Sequence, residues 1–517
     1  MSADQLLAID VGTQSVRALL FDPQGTMVAR ARVPIEYVAR FPGWAENDPE
    51  TYWSAVGAAC RSLTADPAVR VDAIAGLSLT TQGGTVVVVD SDGRPLRPAI
   101  IWLDRRRTEG LPRIGGLYGL AFRLLGLADT VATLQAEAEA NWLMTHEPAI
   151  WAQTAKFLLL SGFLTHRLVG RYVDADASQV GYVPFDFRRR RWAGARSWVW
   201  QVVPIEREML PELVPTSGQL GELTAAAAEH LGLRPGLPVI AAGADKACEA
   251  LGSGCLASNV AALSFGTMAT ITTTHRRYVE PEPLIPPFPA AVPGRYSLQI
   301  QVYRGFWLVE WFRREFGAVE EAAARERGID PLHVLDELLE HTAPGAMGLL
   351  LQPTFSPGVR IPGPEAKGAA IGFGDAHTRA HMYRAVVEGL LFALREGLER
   401  TEKRSRVPIT ALRVAGGGAS SDRIVQIAAD VFGLPVGRPH TFETSGLGAA
   451  IDAAVGLGIH PSFEAAVAEM TRLVETRDPD PAAAKLYDAL YRRVYRRMYE
   501  RLRSLYEEIR AITGYPG

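Results

Sequence analysis

The chain has 517 residues, 48% of them hydrophobic, with 54 Lys+Arg against 57 Asp+Glu and a net charge of -3. That composition excludes a disordered chain, and the absence of a basic field excludes a nucleic-acid binder. The length predicts two domains, and three cysteines (Cys60, Cys248 and Cys255) are too few and odd in number for a disulfide framework.

Residues 6–22, LLAIDVGTQSVRALLFD, read as a hairpin of two strands. Its turn region carries Asp10, Gly12 and Thr13, which offer a carboxylate, exposed amides and a hydroxyl. Such groups fill a core poorly but suit magnesium and phosphate oxygens. DPQGT then turns the chain into a third strand, MVARARVPI. PETYWSAVGAACRSL reads as an amphipathic helix, IAGLSLT as a strand, and GTVVVVDSDGRPL as a strand ending in an Asp-Gly turn. ANWLMTHEPAIWAQTAKFLLLSGFLTHRLVG reads as helices packed by Trp and Leu. Alternating strands and helices with mixed hairpins predict an α/β fold.

FRRRRW at 187–192 is expected to be a solvated edge. LPVIAAGADKACEALGSG places Gly243 and Asp245 between a strand and a helix. Asp245 could cap that helix or accept a proton from an attacking hydroxyl. VAALSFGTMATITTTH echoes the opening hairpin: aligning Asp10 with Ser264 superposes Gly12-Thr13 on Gly266-Thr267. The echo is either chance or the mark of two domains of one fold. LRVAGGGASSDRIVQIAADVFG sets Gly416, Gly417 and Gly418 before a helix starting near Ser420 and Ser421, a backbone cradle for an anion or nucleotide or a tight connection. Tyr487, Tyr491, Tyr495, Met498, Leu502, Leu505 and Ile509 recur every three or four residues, predicting one long amphipathic helix docked on its own domain. His166 and His381 fall in no metal motif, and Cys248 and Cys255 read as small buried residues. No signal peptide and no membrane span is expected, so the chain is expected to be soluble and cytoplasmic, without a membrane or nucleic-acid partner.

Seven stretches in order, AIDVGTQSVRALLFD, PGWAENDPETYW, DGRPLRPAIIWLDRR, GADKACEALGSG, LSFGTMATI, GAAIGFGDAHTRAHMYRAVVEG and VAGGGASSDRIVQIAADVFGLPV, together resemble the FGGY family of carbohydrate kinases. The resemblance implies two actin-like, ribonuclease H-like domains with ATP and sugar in the cleft between them. It implies an N-terminal domain over 1–253, a C-terminal domain over 254–460 and a helical extension over 461–517. It also implies ATP and magnesium as cofactors, a small sugar as substrate and a possible homodimer. By the family pattern Asp10 helps hold magnesium, and Gly12, Thr13 and Gln14 lie at the transferred phosphate. Asp245 is the general base. Gly266 and Thr267 contact the nucleotide phosphates, and Gly417, Gly418 and Ser421 lie along the adenosine. Gln82, Gly83, Trp102, Asp104, Asp245 and Lys246 line the sugar site.

The chain departs from that pattern at Glu139, where the first signature usually has lysine, and at Ala370 and Phe373 in the second. Lys246 stands where related kinases usually carry an amide. Gln82-Gly83 replaces the Arg-Glu pair of glycerol-specific members, and DGRPLRPAIIWLDRR looks more like members acting on xylulose. A pentulose such as D-xylulose is the expected substrate, with another ketose or polyol as the alternative. An actin-like ATP-dependent switch without sugar transfer is the reading from another class.

Overall fold

The computed structural model describes residues 4–266, 268–281, 284–355, 362–363 and 365–515. The strand Gln5–Val11 pairs antiparallel with Ser15–Phe21, which pairs antiparallel with Met27–Pro34. Leu7, Ile9 and Val11 join a core that includes residues of the helix Pro49–Thr64. Leu6 and Ala8 belong to a different core on the opposite face. A strand covered on both faces needs an unbroken apolar run, which explains why residues 6–9 show no polar alternation. Asp10 ends that run on the Leu6–Ala8 face.

On the other side of Gln5–Val11 lies the parallel strand Ile74–Thr81, then Pro238–Ala241, also parallel, and the antiparallel edge Gln219–Glu222. The second sheet repeats this plan. Tyr296–Val302, Ala269–His275 and Val260–Phe265 form the antiparallel meander, and Ala411–Ala415 and Val436–Pro439 add the two parallel strands. Gln5–Val11 and Val260–Phe265 occupy equivalent positions, so the hairpin echo is a repeat of architecture. The molecule is an α/β protein of two actin-like domains.

The two halves are joined by exchanged helices. Asp245–Gly252 leaves the first sheet and crosses Thr444–Gly456 from the second half. Leu447, Ala450 and Ile451 of the latter share a core with Leu6, Ala8, Leu19 and Phe21 of the first sheet. The helices cross at glycine. A Cβ at Gly448 would sit 1.9 Å from the Cys248 carbonyl oxygen, and one at Gly252 would sit 2.0 Å from that of Thr444.

Three expectations are corrected. The segment read as continuous helices contains a strand, Lys156–Leu159, paired with Val86–Val89 in a small four-stranded sheet. A four-residue apolar run cannot be told from a helix by periodicity. The arginine cluster is not all solvated. The Arg190 side chain is only 7% exposed, bonds Asp176 Oδ1 at 2.7 Å, and donates to the carbonyls of Ala290, Val292 and Arg295 in the second half. The C-terminal helix docks as far as Tyr506, which is buried and donates to Gln352 Oε1 at 3.1 Å, but it is not one uninterrupted α-helix. Pro481–Leu490 continues through a π turn, Tyr491–Tyr495, into Arg496–Thr513. Tyr487, Tyr491, Tyr495 and Met498 enter a third core, which includes Leu263, Ile271 and Val414 of the second sheet, while Leu505 and Ile509 are exposed.

Local packing accounts for the remaining singled-out side chains. His166 stacks on Tyr172, and the His381 ring accepts from the Thr378 N–H at the start of the helix Arg379–Ser405. All three cysteines are buried. Glu388 is buried against Arg384 at 2.8 Å and accepts from Tyr487 and the Gly345 N–H. Among the described residues no helix is long and apolar enough to cross a membrane.

Candidate active site

The two hairpins and the crossing helices enclose a cleft of about 2300 Å³. Asp10, Arg17, Asp245, Lys246, Ser264 and Gly266 are among the residues that line it.

Asp10 is buried, and its Oδ2 lies 3.0 Å from Arg17 Nη2 without a hydrogen bond of its own. Burial raises the Asp10 pKa and Arg17 opposes the rise. Arg17 also donates to Glu443 Oε2 at 2.5 Å. Glu443 immediately precedes the helix Thr444–Gly456, so this ion pair joins the two halves beside the Asp10 turn. The carboxyls of Asp10, Asp245, Glu249 and Glu443 gather here around two cations, Arg17 and Lys246. An excess of carboxylate over cation fits magnesium, which commonly takes one or two carboxylates and completes its shell with water and substrate phosphate.

Thr13 donates to Gln82 Oε1 at 2.6 Å, and Trp102 Nε1 donates to Thr13 Oγ1 at 2.9 Å and to Gln82 Oε1 at 3.2 Å. Gln82 in turn donates to the Tyr52 hydroxyl at 3.1 Å. Thr13, Gln14, Gly83 and Trp102 face the cleft, whereas Gln82 is buried behind them as the hub of this network. Asp104 is turned elsewhere. Its Oδ2 accepts the Ala45 N–H at 2.7 Å, and both oxygens are bound by Arg106.

Asp245 is the first residue of its helix and does not cap it; its Oδ1 accepts the adjacent Lys246 N–H at 2.8 Å. The turn before it is pinned. Thr80 donates to the Gly243 carbonyl at 2.9 Å, and the Ala244 N–H donates to Ala177. Burial is the main cause that pushes the Asp245 pKa up to about 6, against the pull of Lys246 and with help from Asp10 and Glu249. A carboxyl at that value is mostly ionised at neutral pH yet basic enough to take a proton. The Lys246 ammonium turns to the second domain, donating to Ser264 Oγ at 2.7 Å and to both oxygens of Glu249 at 3.1 and 3.2 Å.

In the second domain Gly266 and Gly417 line the cleft, while Thr267 lies outside the described residues. Gly416 has φ +83°, a conformation that favours glycine, and a Cβ on Gly417 would meet nothing within 4 Å. Gly418 instead packs under Phe306. The Ser421 hydroxyl is engaged elsewhere: it caps the helix Asp422–Phe432 through the Ile424 N–H and donates to Asp336 Oδ1 at 2.6 Å.

Sequence reading missed Arg17, Thr80, Glu249 and Glu443. Arg17 had a signal, since a hairpin closed over residues 12–15 places it opposite Asp10. Glu443 had none, because only the crossing of the two halves brings it near.

Two family models cover most of the chain. The N-terminal domain of the FGGY family of carbohydrate kinases matches residues 5–252, and its C-terminal domain matches residues 261–457. A xylulose kinase of Lactococcus lactis is 28% identical over 494 residues, 94% of this chain and 95% of that protein. A glycerol kinase of Methylibium petroleiphilum is 29% identical over 493 residues, 90% and 93% of the two chains. The crystal structure of a xylulose kinase from Rhodospirillum rubrum superposes with a TM-score of 0.78 at 27% identity, over 97% of this chain and all of that one. With both family domains matched in order and a carboxylate-lined cleft between two actin-like halves, the chain belongs to the FGGY family of carbohydrate kinases.

Proposed function

We propose that this sugar kinase transfers the γ-phosphoryl group of ATP to a hydroxyl of a pentulose, D-xylulose or a near relative, with Asp245 as general base. The Asp245 carboxyl carries the proposal: it sits in the cleft on a pinned turn, with its pKa pushed up to about 6. The sugar would lie against Gly83 and Trp102 on the first-domain wall. The substrate assignment is supported by the xylulose kinases among the relatives, which also include the glycerol kinase.

Asp245 takes the proton of the attacking hydroxyl as its oxygen approaches the phosphorus in line. The Lys246 N–H and the pinned turn hold the carboxylate in place for that transfer. Thr13, fixed by Gln82 and Trp102, would lie at the transferred phosphate. Asp10 would hold magnesium, which neutralises phosphate charge when bound. The nucleotide phosphates would run along Gly266 and Thr267. The adenosine would run along Gly417, with Gly418 and Ser421 shaping the turn behind it. Closure of the cleft excludes water and limits idle hydrolysis.

The test is ADP production with ATP and magnesium across pentuloses, hexuloses, pentitols, tetritols and glycerol. One pentulose should raise turnover far above the sugar-free rate. Preference for another ketose or for a polyol would overturn the pentulose assignment. Steady sugar-independent hydrolysis across a flat panel would favour an ATP-dependent switch.

A further inference from the structure

We propose that Lys246 serves the phosphoryl group and not the sugar, as a cation at the second hairpin that contacts the terminal phosphate of ATP. The inference rests on the kinase reading above and assigns Lys246 a face of that same site.

The direction of the side chain is the first observation. Asp245 and Lys246 are neighbours at one helix start, yet the ammonium points to Ser264, on the strand that leads into the Gly266 turn. It is thus bonded to the second half of the molecule, whereas Gly83 and Trp102 belong to the first. The second observation is the repeat. Ser264 occupies in the second sheet the position that Asp10 occupies in the first. The first hairpin presents a carboxylate, which attracts a cation. At the same place the second hairpin presents a hydroxyl that holds an ammonium, which attracts an anion. A magnesium–triphosphate would be served by both, the carboxylate toward the metal and the ammonium toward phosphate oxygen.

Donor arithmetic is the third observation. An ammonium has three N–H groups. Two are directed at the oxygens of Glu249 and one at Ser264. The two bonds to Glu249 are the longer ones, and the side chain retains 21% exposure and lines the cleft, so an incoming phosphate oxygen can take over one of the donors now spent on Glu249. Glu249, one helical turn on, stops the stem from swinging toward Asp245 and keeps the charge near the phosphate hairpin.

Lys246→Gln keeps the stem and removes the charge. Titration calorimetry with magnesium and no sugar should show ATP binding weakened about tenfold and ADP binding changed by less than about threefold, the scale of one charged contact to the terminal phosphate. With substrate, kcat should fall about 10²-fold at an unchanged sugar KM. Lys246→Arg should recover part of the ATP-over-ADP preference, and Lys246→Met is the second neutral variant should the first fail to fold. Equal loss for ATP and ADP, no loss for either, or a raised sugar KM with unchanged nucleotide binding would each overturn the proposal. The titration needs no turnover. If the wild-type chain phosphorylates none of the sugars, the substrate reading fails while the ATP-to-ADP ratio still decides Lys246.

Discussion

Asp245→Asn should make the protein worse as an enzyme and better as a fold, and the second effect depends on pH. Burial moves the carboxyl from 3.8 to about 6. Two pKa units correspond to about 3 kcal/mol, an upper bound for a group that keeps some contact with solvent. The sign follows from the direction of the shift. The folded state holds its proton to higher pH than the unfolded state, so the contribution to stability is complete below about pH 4 and lost as pH rises through about 6. At pH 8 the wild-type protein carries a buried carboxylate, whereas asparagine is neutral, nearly the same shape, and keeps the bond from the Lys246 N–H. Denaturant unfolding at pH 8 should therefore show the variant more stable by up to about 3 kcal/mol, with the difference vanishing near pH 4. Coupled ADP production should fall about 10²-fold or more, and the wild-type rate should drop about tenfold per unit below pH 6. A variant less stable than wild type at pH 8, or equally stabilised at both pH values, would refute the burial argument. Near-normal turnover would refute the base.

Asp10→Ala should raise the magnesium concentration for half-maximal rate about tenfold or more, and an unchanged magnesium titration would count against the site. Gly417→Ala should leave stability within about 0.5 kcal/mol, because its Cβ meets no atom within 4 Å. It should weaken ATP binding if adenosine lies there, which calorimetry would read. Gly418→Ala puts a Cβ 2.7 Å from the Phe306 ring and should cost about 1–3 kcal/mol in unfolding experiments. Glu388→Ala strands the buried Arg384 and should cost about 3–5 kcal/mol, with activity per folded molecule unchanged.

The parts legible in the sequence are those fixed by local pattern. The first hairpin, the Pro49–Thr64 helix and the glycine turns depend on residues within about one turn or strand of each other. The equivalence of Asp10 and Ser264 was legible as an echo, and sheet order turned it into architecture. What escaped depended on distant partners. Asp104 reads as a sugar contact until Arg106 and Ala45 are seen to hold it, and Ser421 reads as an adenosine contact until Asp336 accepts from it. Arg190 sits in a run that looks solvated, and only the carbonyls of residues 290–295, a hundred positions on, make it a buried pin. The direction of Lys246 was equally hidden, since one helix start serves two walls of the cleft.

The exchanged helices bear on how the chain is made. During synthesis the first sheet is complete once Pro238–Ala241 has emerged, but its Leu6, Ala8, Leu19 and Phe21 face still lacks Thr444–Gly456. That cover arrives only when most of the remaining chain has been translated. A bare apolar sheet face in a half-made protein is an aggregation hazard. The N-terminal half expressed alone inherits that hazard permanently, whereas the two halves made together in one cell could cover each other.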